Sequence, residues 1–316
     1  MMIENLFLMF IFLFVLVKSA DYSIKYSKIV SRKIHLSEFI VSFFIVSIIS
    51  SLPEGTIAII SALKGLPKFG LGALIGSNVA DLLLVFGLAA FFSGEKGVSF
   101  KSRMLKRDFF YLSILFFPVL SGLDGNYSVL DGFILVIAGL SFFFSLYLQS
   151  KKFKKEMHHL GYWDFIRYIV LLLSSLVTLV LSANYVIKYG TLLANAINIP
   201  PILISLTLIS IGNCLPELIF SIKAVRGSRD QLALGDILGT VIIDETIYIG
   251  ISALINPFSF DILTIYVTGF AMFFAGVVST IFLNTDKKLS KREGKVLLIC
   301  YAVYLVIEVI INKVIL

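Results

Sequence analysis

Leu52-Pro53-Glu54 and Leu215-Pro216-Glu217 are one tripeptide read twice, 163 residues apart (Glu54 to Glu217), each inside a long apolar run. The register holds outward in both directions without a gap. Ser19-Ala20-Asp21-Tyr22-Ser23-Ile24-Lys25-Tyr26 falls on Ser182-Ala183-Asn184-Tyr185-Val186-Ile187-Lys188-Tyr189. Ser42 and Ser47 fall on Ser205 and Ser210, Gly72 and Gly76 on Gly235 and Gly239, and Asp81 on Asp244. Apolar helices match by chance, but a register kept through prolines, glycines and four acids marks an internal repeat.

The composition says where the repeat lives. The chain has 316 residues, 58% of them hydrophobic, with a mean hydropathy of +0.97. Soluble domains hold about 45–50% apolar residues. Ten stretches are apolar and long enough for membrane spans of roughly 20 residues: 3–17, 37–62, 70–93, 109–122, 128–149, 166–187, 199–225, 231–255, 260–283 and 296–315. The fourth is the shortest and contains Pro118. The first begins Met-Met-Ile-Glu, with no basic residue before Lys18, so it reads as a retained helix rather than a cleaved signal.

Charge sets the orientation. The net charge is +7, but the basic residues are distributed as in a membrane protein, not as in a nucleic-acid binder. Of 27 Lys and Arg, all but Lys64, Lys68, Lys188 and Lys313 fall in the odd-numbered connections. The positive-inside rule places those connections in the cytoplasm and both termini outside the cytoplasm, in a multi-pass protein of the cell membrane. Each copy then holds five spans, an odd number, so the second enters from the opposite face. The predicted fold is all-α: ten transmembrane helices as two inverted five-helix repeats. Residues 1–150 form the first half, 151–165 a cytoplasmic connection, and 166–316 the second half. Inverted repeats recur in secondary transporters, with the ion site near the midplane between them.

Acids inside apolar spans are expensive; Asp at a helix centre costs about 2.5–3.5 kcal/mol on insertion scales. Such residues mark function. Glu54, Asp81, Glu217 and Asp244 occupy matching places in the two copies. Glu245 and Glu308 have no acidic mate (Leu82 and Ser145 stand at the offset) and are read as lying behind the ligands, at the membrane interface, or with a role unknown. Pro53 and Pro216 each deny an amide to the carbonyl four residues earlier, at Ile49 and Gly212. Backbone oxygens freed at that depth must face protein or a cavity, and a cation can take them. Ser50, Ser51 and Glu54 share a helix face, as do Ser77 with Asp81 and Thr240 with Asp244. Asn78, Asn213 and Cys214 lie beside them, and the four glycines allow close helix approach. Carboxylates, carbonyls and hydroxyls are hard ligands that suit Ca²⁺. The two cysteines lie inside spans, and no thiolate or imidazole cluster suggests zinc or copper. His158-His159 reads as part of an interfacial basic loop, and no cofactor is expected.

The stretches Ser50–Glu54 with Gly76–Asp81, and Gly212–Glu217 with Gly239–Asp244, resemble the paired α-repeats of the calcium/cation antiporter superfamily, and most closely its sodium/calcium exchanger branch. The resemblance covers nearly the whole chain. It implies Ca²⁺ exchange for Na⁺ by alternating access, with Glu54 and Glu217 as the central Ca²⁺ ligands. It further implies Ser50, Ser51, Ser77, Asn213, Cys214 and Thr240 in the Ca²⁺ and Na⁺ shell, backbone oxygens from Ser47 and Ser210, and Asp81 and Asp244 flanking the centre. The family pattern is Gly-Thr-Ser-Leu-Pro-Glu in both copies. Here Ile49-Ser50-Ser51 and Gly212-Asn213-Cys214 depart from it, and Cys214 is a poor ligand for Na⁺. Asp81 stands where the family often has Asn. Four carboxylates in one site of low dielectric cannot easily all be ionised, so exchange of Ca²⁺ or another divalent cation for H⁺ is the alternative. The expected partners are inorganic cations and the bilayer, and the chain is read as a monomer with no nucleic acid. An intramembrane hydrolase would need a nucleophile–base pair or a metal triad, and a passive channel a shared oligomeric pore.

Overall fold

A computed structural model describes residues 2–33, 37–99, 108–150, 162–196, 210–260, 262–285 and 288–315. Among them ten helical stretches answer the ten predicted spans. The first half holds α1 (Met2–Lys33), α2 (Glu38–Ser50) bent by 47° into α3 (Leu52–Leu63), and α4 (Pro67–Ala80 continuing through Asp81–Val85 to Phe86–Phe92). It closes with α5 (Asp108–Ser121) and α6 (Val129–Ser150). The second half holds α7 (Tyr162–Ala196), α8 (Ser210–Asn213), α9 (Leu215–Arg226), and α10 (Asp230–Ile242 continuing through Ile243–Tyr248 to Ile249–Ile255). It closes with α11 (Ile262–Thr285) and α12 (Lys291–Ile315). The first part of the seventh span, 199–209, lies outside the described residues, as do His35, His158, His159 and most of the 151–165 connection.

The first helix differs from its expectation. It runs to Lys33 rather than ending near 17, so Lys18, Lys25, Lys28, Arg32 and Lys33 sit on the helix and not in a connection. No Gly or Pro stops it. Lys18 and Lys25 place their ammonium groups over the rings of Phe14 and Tyr26, at 5.6 and 5.7 Å, which shields the charge without unwinding the backbone. Ser19, Ser23, Ser27 and Ser31, one turn apart, form a narrow buried seam along it. The sixth span is longer than 166–187 for a similar reason: the helix continues unbroken from Tyr162 to Ala196.

Inversion is visible in the contacts. The repeat equates α1 with α7, and these two pack antiparallel. Phe12 stacks on Tyr185 (4.3 Å between ring centres), Ser23 Oγ donates to Ser175 Oγ (3.0 Å), and Tyr26 meets Tyr168 (6.2 Å). Further pairs obey the same symmetry. A Cβ on Gly132 of α6 would lie 2.8 Å from the carbonyl of Gly250 in α10, and a Cβ on Gly294 of α12 2.8 Å from that of Gly87 in α4. Gly87 and Gly250 are one repeat apart, and Gly132 and Gly294 match one residue out of register. Two short ribbons repeat the pattern: β1 (Val98–Ser99) pairs with β4 (Lys288–Leu289), and β2 (Asn126–Tyr127) with β3 (Phe258–Ser259), both antiparallel. The last helix of each half thus packs on the third helix of the other. The halves interlock and are not two lobes.

Pro118 is accommodated inside α5, where its carbonyl accepts the Tyr127 hydroxyl at 2.7 Å and the Gly122 amide at 3.0 Å. The close approach that positions the interior is that of α10 on α2. A Cβ on Gly239 would lie 2.7 Å from Ser47 Cβ and 2.9 Å from the Phe43 carbonyl, and one on Gly235 would lie 2.9 Å from Ser42 Cβ. For Gly72 and Gly76 the equivalent neighbours would be residues 202–210, whose side chains lie outside those described. Gly239→Ala is therefore expected to force α10 off α2 and to destabilise the protein by about 1–3 kcal/mol, the usual cost of overpacking. Thermal unfolding of the purified protein checks this, and an unchanged midpoint would show that the helices do not meet this closely.

Candidate functional site

Both Pro-Glu motifs start a new helix partway along a predicted span. α2 breaks at Ser51 and α8 at Cys214, positions one repeat apart, and in each case proline takes the second place of the new helix, where no amide hydrogen is required. The ladder is re-formed on either side. The Ser51 amide donates to the Ser47 carbonyl and the Gly55 amide to that of Ser51, both at 3.0 Å, and the Leu218 amide donates to Cys214 at 2.9 Å. Glu54 and Glu217 lie in the first turns of α3 and α9, where the helix dipole favours negative charge. Both are buried, at 1% and 0% exposure.

The other two predicted acids sit at irregular turns of a longer helix. Asp81 opens the five-residue π-helical turn of α4, and Asp244 lies in the six-residue π-helical turn of α10. Such turns recur at functional positions. They re-aim the side chains without ending the helix, and both acids are buried. Asp81, Glu217 and Asp244 each lie within range of the Glu54 charge, and Glu217 and Asp244 also within range of that of Asp81.

Around them the predicted polar residues divide. Ser50 Oγ donates to Asp236 Oδ1 at 2.9 Å and lies 3.4 Å from Thr240 Oγ1. Ser51 Oγ lies 3.4 Å from the Tyr248 hydroxyl, whose ring packs where Gly55 has no side chain. Cys214 Sγ donates to the Ser77 carbonyl at 3.6 Å, joining the break of the second copy to α4. Asn213 is half-buried. The hydroxyls of Ser47 and Ser77 turn back on their own helices, Ser47 to the Phe43 carbonyl and Ser77 to that of Leu74 at 2.9 Å. The Ser47 carbonyl holds the Ser51 amide, and the Ser210 side chain lies outside those described.

Three further residues line the site without being among its expected ligands. Asp236 is fully buried in α10, one turn before Thr240. Its repeat mate is Ala73, so a search for matched acids passes over it, although its spacing of four and eight residues to Thr240 and Asp244 places it on the same face. Glu245 accepts Asn78 Nδ2 at 2.6 Å, which gives that unmatched acid a partner across the two copies. Tyr248 covers the start of α3. The side chain of Glu308 lies outside those described.

The chemistry of the cluster follows from its unpaired oxygens. Glu54 Oε2, Asp81 Oδ1, both oxygens of Glu217, Asp236 Oδ2 and both of Asp244 are buried without a hydrogen-bond donor. The ion pairs found among the described residues, Lys223–Asp21 at 3.1 Å and Arg229–Glu38 at 3.0 Å, are half-exposed or peripheral. Buried carboxylates need a counter-charge, and truly isolated ones are very costly. Carboxylate oxygens are the hard ligands of alkali and alkaline-earth cations, although among the described residues no three Asp, Glu, Cys or His side chains are gathered as a ready-made metal site.

A family model described as sodium/calcium exchanger protein matches residues 4–151 and 167–310. The chain belongs to the sodium/calcium exchanger family. It is accordingly a transporter and not an enzyme, embedded in a membrane as a multi-pass protein. The sodium/calcium exchanger MaX1 of Methanosarcina acetivorans is 25% identical over 97% of this chain and 99% of its own length. The inner membrane protein YrbG of Escherichia coli is 29% identical over 80% of this chain and 81% of its own. Among solved structures, the sodium-calcium exchanger NCX_Mj, soaked with 10 mM Na⁺ and zero Ca²⁺, superposes with a TM-score of 0.83. It covers 96% of this chain and 98% of that one at 22% identity, which establishes the shared ten-helix inverted-repeat fold.

Glu54→Gln and Glu217→Gln keep the side-chain volume and remove one charge each. Each is expected to abolish Ca²⁺ flux in proteoliposomes while the protein still inserts and purifies. Near-normal flux in both variants would place the cation site elsewhere.

Proposed function

We propose that this exchanger moves Ca²⁺ against Na⁺ across the cell membrane by alternating access, with Glu54 and Glu217 as the two central Ca²⁺ ligands. The observation that carries the reading is the meeting of two inverted Pro-Glu helix starts whose carboxylates are buried, close together and short of donors. Two glutamates neutralise one divalent ion, and the surrounding carboxylates, hydroxyls and carbonyls supply the oxygens Ca²⁺ takes, six to eight in flexible geometry. In this reading Asp81 and Asp244 flank the centre. Ser50, Ser51, Ser77, Asn213, Cys214 and Thr240, with the backbone oxygens of Ser47 and Ser210, furnish the shell for Ca²⁺ and Na⁺. MaX1, which bears the name of a sodium/calcium exchanger, supports the choice of ions.

Residues 1–150 and 166–316 act as symmetry-related halves joined by 151–165. Because their last helices are exchanged, access alternates by local movement around the site and not by a hinge between rigid lobes. A single chain contains the whole site, which supports a monomer, and the distribution of Lys and Arg supports termini outside the cytoplasm.

Proton-driven exchange is the second reading, and the excess of buried carboxylates over the charge of one Ca²⁺ is the observation that favours it. Radioactive Ca²⁺ uptake into proteoliposomes separates the two. An outward Na⁺ gradient is expected to drive uptake at fixed pH, and Cys214→Ser to strengthen the Na⁺ dependence. Uptake that ignores Na⁺, requires a proton gradient and loses that requirement in Asp81→Asn would replace Na⁺ with H⁺.

A further inference from the structure

Asp236 is an acid that the repeat does not call for. Ala73 stands at its place in the first copy, so one flank of the site carries a carboxylate that the opposite flank lacks. Its side chain has 0% exposure. Oδ1 accepts the Ser50 hydroxyl at 2.9 Å, and Oδ2 has no donor. The same Ser50 hydroxyl lies 3.4 Å from Thr240 Oγ1. Gly235 and Gly239, on either side of Asp236 in α10, hold that helix against α2 and bring the carboxylate to Ser50. Glu54 follows Ser50 by four residues across the break at Ser51, and its charge and that of Asp236 act on one another. Two carboxylates and two hydroxyls therefore surround one corner of the site. Cys214 is held on the Ser77 carbonyl and makes no hydrogen bond to Ser50, Thr240 or Asp236 among those found.

We propose that Asp236 is a further cation ligand, and that it raises the affinity of this corner for a monovalent cation relative to Ca²⁺. The inference rests on the central site assigned above to Glu54 and Glu217. A lone buried carboxylate with a free oxygen is costly unless a cation neutralises it. Of the six side-chain oxygens at the corner, Asp236 Oδ1 and the Ser50 hydroxyl are already bonded to each other, which leaves fewer free than the six to eight that Ca²⁺ takes. A second divalent ion next to the central one would also be strongly repelled in a medium of low dielectric. One added negative charge among hydroxyls suits Na⁺. The competing structural role is that of a mere acceptor for Ser50, which an amide oxygen fills equally well.

Asp236→Asn separates the two roles, because it keeps an acceptor and removes the charge. Ca²⁺ binding to the purified protein is measured alone and in competition with Na⁺, for the wild type, Asp236→Asn and Glu54→Gln. In Asp236→Asn the Na⁺ concentration for half-displacement of Ca²⁺ is expected to rise about tenfold or more, the scale of losing one charge-assisted ligand, while Ca²⁺ affinity without Na⁺ shifts by less than about threefold. Unchanged competition would reduce Asp236 to a hydrogen-bond acceptor. An equal or greater loss of Ca²⁺ affinity would make it a Ca²⁺ ligand and overturn the monovalent preference. Glu54→Gln tests the underlying reading separately, since retained Ca²⁺ binding there would move the central site whatever Asp236 does. If Asp236→Asn does not fold, Asp236→Ser removes the same charge and carries the same expectation.

Discussion

The fold is organised around carboxylates that the protein itself does not neutralise. Glu54, Asp81, Glu217, Asp236 and Asp244 are buried in an apolar bundle, and seven of their oxygens lack a donor. An ionised carboxylate buried in this way costs several kcal/mol unless it is paired. Two features of the backbone reduce the cost without removing it. Helix starts inside the spans present their positive ends to Glu54 and Glu217, and π-helical turns seat Asp81 and Asp244 without ending α4 and α10. In the function proposed above a cation relieves the remaining cost, which would link ion binding to the stability of the interior.

Inversion explains how one chain builds such a place. Each copy contributes one broken helix and one helix with a π-helical turn, and antiparallel packing of α1 on α7 brings the copies together with opposite polarity. The paired glycines at 87 with 294 and at 132 with 250 let the fifth helix of each half lock onto the third helix of the other. A site made at such a symmetric junction can in principle be opened from either face by related movements, which is the requirement for exchange. The symmetry is incomplete where ligands are concerned. Asp236 faces Ala73 across the repeat, Glu245 faces Leu82, and Cys214 takes the place that Ser51 holds in the first copy.

What the sequence discloses follows from that symmetry. The repeat register, the broken helices and the four matched acids are all legible in a single chain, because a pattern written twice stands out against apolar noise. Asp236 is not found that way, since its signal is helical spacing to Thr240 and Asp244, not repetition. The Asn78–Glu245 bond joins residues from different copies, and no local pattern announces it. Basic residues from Lys18 onward suggest a connection, whereas α1 runs on to Lys33. Aromatic rings beside Lys18 and Lys25 let the helix carry them instead. The turning of the Ser47 and Ser77 hydroxyls onto their own helices is likewise a rotamer choice that composition does not reveal.

If cations complete the interior, the folded protein must bind them more tightly than the unfolded chain does, and its unfolding temperature must depend on their concentration. The most direct measurement is thermal unfolding of the purified protein across a Ca²⁺ titration begun in chelator, repeated for the Glu54→Gln, Glu217→Gln double variant. The account requires the midpoint to climb steadily with the logarithm of free Ca²⁺ in the wild type and to stay flat in the double variant. A midpoint indifferent to Ca²⁺ in the wild type, or an equal climb in both proteins, would contradict it.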